Sequence, residues 1–446
     1  MIRSFLFIPL FLLLSQLDLA VAVAVALPPP PISPKLPGHY VPFHKLSTCP
    51  KLSHRKYPRS AKDVRPDDFR VVMALGDSIT AGLLARGSRD DYDYDYSLSS
   101  TPSGGSQRPF RPISNRLLSI AEYRGLSYPI GYDEDAITIP RILDTYARKN
   151  LTGVSRGQHP PTTCLGTGPN PGIDLGKVFG KKGICTPRPE EDGLNAAVSG
   201  SVSGNLMAQV KDYLLPRIAE MGIRDEDWKY VNLGIGANDI CSFCLTPNAT
   251  GISITGSPQQ FAADIREAVN VLREHVPNII VNIIGLFRVS AIYRLTLTDP
   301  YCQPPLLPLP HLALECSCAL LPGPAGDYTR GKMDELGEAY DEAVLQVIEE
   351  WEKEDDPTFG AIWQPGTVVD LANYPITALS PIDCFHPSEL AHQRVAAGFW
   401  NRMTLSLEKK YLPIEWEAEV YVRCLEEDDR IPVGMVSESA RRYLRG

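Results

Sequence analysis

Apolar residues along this chain fall into two alternating rhythms. Short unbroken runs, closed by Gly, Asp or Pro, predict buried strands over 71–75, 194–199, 230–236, 279–287 and 367–372. Between them, apolar positions recur at helical spacing over 204–219, 258–275, 327–352 and 388–407. A run that is apolar at every position has no solvated face, so it belongs in a sheet covered on both sides. Strands alternating with helices give that arrangement when the strands are parallel. The pattern therefore predicts an α/β fold with a five-stranded parallel sheet.

Other segments break the rhythm. Met1-Ile2-Arg3, the apolar stretch Phe5 to Leu14 and the small residues Ala20 to Ala26 read as a signal peptide over 1–26. Asp18 interrupts that stretch and Pro28 to Pro31 follow it, which argues against a membrane anchor. Residues 27–64 are rich in Pro and read as an extended arm. The main domain then runs over 65–407, and 408–446 form a charged C-terminal extension. Three insertions interrupt the domain. The first holds Asp90-Asp91-Tyr92-Asp93-Tyr94-Asp95-Tyr96, whose adjacent carboxylates and turn-rich flanks predict a surface loop. The second, 150–192, is rich in Pro, Gly and Thr; the third, 299–325, contains Pro304-Pro305-Leu306-Leu307-Pro308-Leu309-Pro310.

Composition narrows the setting. Of 446 residues, 43% are hydrophobic and 22% charged, enough apolar content for a sizeable core. A net charge of −9 disfavours nucleic acid and anionic membranes as partners. Ten cysteines fit disulfides in an oxidising compartment. Cys49 with Cys424 would tie the two terminal extensions together, Cys164 with Cys185 would close an insertion, and Cys241 with Cys244 would brace a loop. Asn150-Leu151-Thr152 and Asn248-Ala249-Thr250 are glycosylation sequons of the same compartment. The expected protein is secreted and monomeric.

The candidate chemistry starts where the first strand ends. Val71 to Leu75 run into Gly76-Asp77-Ser78, placing Ser78 at a sharp turn at the carboxyl end of a buried strand. Three further segments follow in order: Leu194 to Gly200, Tyr230 to Asp239, and Asp383-Cys384-Phe385-His386-Pro387. Together these resemble the four blocks of the GDSL or SGNH hydrolase superfamily. Tyr123-Arg124-Gly125-Leu126-Ser127, the continuation Asn238-Asp239-Ile240-Cys241 to Cys244, and Cys384 inside the last block look most like its phospholipase B-type lipases. The resemblance spans about Val71 to Met403. It implies a flavodoxin-like three-layer α/β/α sandwich and an ester hydrolase acting through an acyl-enzyme. Tyr128-Pro129-Ile130-Gly131-Tyr132 departs from it, standing where a tryptophan-containing stretch is expected.

A serine hydroxyl needs a base, and that base needs a carboxylate to hold its tautomer. His386, three residues after Asp383, completes a candidate triad with Ser78. The resemblance implies oxyanion donors at the Ser78 N–H, the Gly200 N–H and the Asn238 side chain. Asp77, Asp239 and His392 are assigned to supporting roles: turn geometry, local backbone and packing. Gly153-Val154-Ser155-Arg156-Gly157 matches another hydrolase motif, but no strand precedes it and Pro160-Pro161 follow, so Ser155 is rejected. No Walker-type loop or metal-ligand set appears, so no metal and no organic cofactor is expected. The expected substrate is an ester, lipid or phospholipid, with transient contact to a lipid surface. Two readings of 304–312 stand: a surface loop tied down by Cys302, Cys316 and Cys318, or an acyl-chain wall. The alternatives are a carbohydrate or acetyl esterase and a non-catalytic lipid- or glycan-binding protein.

Overall fold

The computed structural model describes residues 36–86, 121–147, 151–158, 189–243, 256–297, 299, 302 and 316–434. Those from Leu36 onward belong to one compact unit. The signal peptide, the Asp/Tyr repeat, the 304–312 loop, Asn150, Asn248, Cys164, Cys185 and Cys244 lie outside the described residues.

The described strands are β1 (Tyr40–Pro42), β2 (Phe69–Gly76), β3 (Trp228–Gly234), β4 (Ile279–Ile284), β5 (Phe359–Gln364) and β6 (Tyr421–Arg423). β2, β3, β4 and β5 form a parallel sheet in that order. The expected strand 194–199 runs beside β2 but makes only a bridge, Ala74 to Asn195. Ala74 N donates to Leu194 O, Ala196 N to Ala74 O, and Val198 N to Gly76 O. The ladder stops because the Gly76 N–H turns away to Gln209 Oε1 at 2.9 Å. Counting this segment, the spatial order is second, first, third, fourth, fifth, the doubly wound order of flavodoxin-like sheets.

The last strand is also displaced from its expected place. It lies at 359–364, while Gly366–Val368 and Leu371–Asn373 are single 3-10 turns. Pro365, which has no N–H for a ladder, separates the two. The helix expected over 204–219 contains a π segment, Gln209–Leu214, ahead of Leu215–Glu220. Pro216 sits where the helical ladder changes, again lacking the N–H that would continue it.

Alternation within β2 assigns its side chains to two cores. Val71, Met73 and Leu75 face one side, packed with α2 (Pro258–His275) and α3 (Gly323–Glu354) through residues such as Ile265, Leu272, Tyr340 and Val344. Val72 and Ala74 face the other, packed with α4 (Glu389–Trp400) and the helix Ile139–Tyr146. The second core also takes in both terminal segments. β1 pairs antiparallel with β6, and Cys49 is bonded to Cys424. The expected Cys241–Cys244 pairing is overturned: Cys241 is bonded to Cys316, because the short helix Ala237–Cys241 packs against the 317–320 turn. Cys302 is bonded to Cys384.

Candidate active site

β2 ends where neighbouring strands close in: a Cβ on Gly76 would lie 2.4 Å from the Gly234 carbonyl oxygen. Asp77 follows in extended conformation and its side chain accepts from the Ile79 N–H at 2.9 Å. That cap starts α1 (Ser78–Ala81), so Ser78 is its first residue. The chain leaves β2 toward the 194–198 segment on one side, and β3 lies on the other. Ser78 therefore stands at the switch point of the sheet, where the crevice opens.

The Asp383–His386 loop meets it from the far end of the chain. His386 Nε2 lies 2.7 Å from Ser78 Oγ. His386 Nδ1 bonds Asp383 Oδ2. Asp383 Oδ1 accepts from the N–H groups of Phe385 (3.0 Å) and His386 (3.1 Å), which fixes the carboxylate plane. Cys384, at φ +55°, makes the turn that allows this, and its disulfide to Cys302 anchors it. Ser388 caps α4, accepting from the Ala391 N–H at 3.3 Å. All three side chains are buried.

The candidate oxyanion donors come from three elements, and Asn238 is tied to the residue after Gly200. Gly200 has φ +83°, a backbone state that other residues rarely adopt. Among the described residues, neither its N–H nor that of Ser78 is taken by an acceptor. Asn238 Nδ2 donates to Ser201 O at 2.8 Å, which orients the amide and leaves its second N–H for a ligand.

The supporting residues divide by environment. Burial pushes the Asp77 carboxyl up to about 6. Burial also pushes Asp239 up to about 7, against the hydrogen bonds it accepts from Ser203. His392 is buried within α4, and burial with the nearby His386 pushes it down to about 3. It stays neutral, its Nδ1 accepting from the Tyr128 N–H at 3.2 Å. Ser155 lies outside this constellation: its Oγ donates to the Asp192 carbonyl at 2.7 Å.

Beside Asp77 and Ile79, at the carboxyl ends of β3 and β4, lies a cavity of about 100 Å³. Ile79, Ile235, Ile284, Leu286, Phe287 and Phe399 contribute apolar walls, with Tyr128 and His392 among the polar groups. The stretch that departs from the resemblance thus reaches the cavity through Tyr128. Sequence reasoning missed Gln209, which holds Gly76 from both sides: its Nε2 also donates to Gly76 O at 2.7 Å. It also missed the roles of Glu122 and Arg124; two charges beside Tyr123 inside a buried stretch were the available signal.

The GDSL-like Lipase/Acylhydrolase family model matches residues 72–399. The chain belongs to this family. Among curated GDSL relatives, membrane-associated phospholipase B1 of Rattus norvegicus is 26% identical over 381 residues, 83% of this chain and 22% of that protein. Its Homo sapiens counterpart is 26% identical over 377 residues, 82% of this chain and 22% of the relative. The chain thus spans about a fifth of the length of these relatives. A putative GDSL-like lipase from Parabacteroides merdae ATCC 43184 matches with TM-score 0.31 and 13% identity, over 78% of this chain and 95% of that one. So low a score bears on neither site nor substrate.

Proposed function

We propose that this GDSL-family protein hydrolyses carboxylic esters of lipids through an acyl-enzyme on Ser78. The observation that carries the reading is the 2.7 Å contact between Ser78 Oγ and His386 Nε2, whose chain neighbours Ile79, Phe385 and Pro387 line an apolar cavity. Ser78 Oγ attacks the ester carbonyl carbon while His386 Nε2 takes its proton. Asp383 holds the imidazole with its other proton on Nδ1 and stabilises the imidazolium that forms. The Ser78 and Gly200 N–H groups and the Asn238 amide receive the negative charge on the carbonyl oxygen. The intermediate collapses as His386 returns the proton to the departing alkoxide, leaving acyl-Ser78 and an alcohol. Water, deprotonated by His386, then releases the carboxylic acid and restores Ser78. The apolar walls suit an acyl chain, and the phospholipase B1 relatives favour a lipid ester. Secretion is part of the same reading, supported by the cystines among the described residues.

A fluorophosphonate probe should label the wild type and not Ser78→Ala. A panel of p-nitrophenyl esters should show kcat/KM rising from acetate to medium-length acyl chains. Absence of labelling would refute the enzyme; labelling with a preference for acetate would refute the lipid substrate.

A further inference from the structure

A buried charge cluster stands behind the Gly200 turn. Arg124 is 2% exposed, between Glu122 at 0% and Asp192 at 2%. Its Nε lies 2.8 Å from Glu122 Oε2 and 3.5 Å from Asp192 Oδ1. Its Nη1 and Nη2 donate to the carbonyls of Asn195 at 3.0 Å and Ala197 at 2.7 Å. The other Glu122 oxygen accepts from Ser199 Oγ at 2.6 Å. One ion-paired unit therefore grips the segment at 195, 197 and 199, and the next residue is Gly200.

A buried ion pair adds little net stability compared with apolar side chains of the same volume. What it supplies is direction, because the planar guanidinium fixes two acceptors at once. Direction is needed here. On its inner side the segment is tied to β2 by backbone bonds at 194, 196 and 198, and that ladder ends there as Gly76 gives its own N–H to Gln209. The outer side of the segment is where Arg124 and Glu122 hold it. An oxyanion donor works only within about 2.7–3.1 Å of the charge that forms, so small displacements of Gly200 matter.

We propose that Glu122 and Arg124 are positioning residues for ester hydrolysis, holding the Gly200 N–H on the oxyanion through Ser199 and the carbonyls of Asn195 and Ala197. They touch neither substrate nor reacting atoms. The inference rests on the ester-hydrolase reading above. The ground-state carbonyl carries little charge, so a misplaced donor lowers kcat and leaves KM nearly unchanged.

The test uses the full chain with a soluble p-nitrophenyl ester, reading kcat, KM, Tm and the pH–rate profile. Ser199→Ala removes one tether and keeps the ion pair. Arg124→Lys keeps the charge and loses the fork. The expected fall in kcat is about 10-fold for the first and roughly 10–100-fold for the second, with KM within about twofold. The pH–rate profile should not move, because the Asp383–His386 pair is untouched, and Ser199→Thr should restore the rate. Wild-type kcat in both folded variants would overturn the proposal. So would activity that merely tracks the folded fraction. If Arg124→Lys fails to fold, Ser199→Ala decides alone. A wild type that neither turns over ester nor labels at Ser78 sinks the ester-hydrolase reading and this proposal together. Wild-type turnover with unaffected variants sinks this proposal only.

Discussion

Replacing Asp383 by asparagine changes one atom's chemistry and should silence the site. Two of the hydrogen bonds Asp383 accepts come from backbone N–H groups, of Phe385 at 3.0 Å and His386 at 3.1 Å, and both reach Oδ1. Those groups can only donate, so in Asp383→Asn the amide oxygen must occupy the Oδ1 place. The reverse orientation leaves two buried donors unsatisfied, at ~1–3 kcal/mol each. The amide NH₂ then faces His386 Nδ1 and obliges it to accept. The ring proton moves to Nε2, the atom 2.7 Å from Ser78 Oγ, which can no longer take the serine proton. A preference of ~2–6 kcal/mol for the wrong tautomer converts to a loss in kcat from about 30-fold to on the order of 10⁴-fold, at about 1.4 kcal/mol per factor of ten. The assay is kcat and KM on a soluble ester, with near-UV circular dichroism as the folding control. Asp383→Ala imposes no tautomer and should retain at least as much activity as Asp383→Asn. An asparagine variant within tenfold of the wild type would refute the reasoning.

Two further outcomes follow from the geometry. Burial pushes the Asp77 carboxyl up to about 6, above the ordinary carboxylate range, so the folded state binds its proton more tightly than the unfolded chain. Its stabilising contribution is full at low pH and is lost as pH rises through the folded value, a change of ~3 kcal/mol between about pH 4 and pH 7. In urea melts, the stability difference between wild type and Asp77→Asn should shrink by that amount over the same window, and a flat difference would disprove it. Removing the Cys302–Cys384 bond with the double variant Cys302→Ser/Cys384→Ser should cost ~2–4 kcal/mol and lower kcat by about tenfold, since Cys384 adjoins Asp383; an unchanged Tm and kcat would rule this out.

What the sequence made legible is what depends on local order. The apolar run Val71 to Leu75 marked β2, and its alternation chose which side chain enters which core. Ser78, Asp383 and His386 were legible because each lies in a short motif at a chain turn. The distance between Ser78 and His386 across 308 positions was not, since no local spacing encodes it. The 359–364 strand was hidden because Gly360 and Gln364 interrupt its apolar run, while both are buried by neighbours far away in sequence. Cys241 looked paired with Cys244 by proximity, but its partner is set by how the 316–320 turn packs. Arg124 stood out only as part of the stretch Tyr123 to Ser127 that carries the resemblance; only the fold shows that its acceptors are backbone carbonyls of Asn195 and Ala197.

The clasp formed by β1, β6 and the Cys49–Cys424 bond joins residues 375 positions apart. All three insertions named above lie between those two cysteines. A protease that cuts one of those insertions once would part the backbone and leave a single covalent body. The cut would add only one water to the mass until the cystines are reduced, when two fragments would separate. In a digestive or lysing environment, such a protein would survive nicking with its serine, histidine and aspartate still assembled, because the halves that carry them cannot diffuse apart.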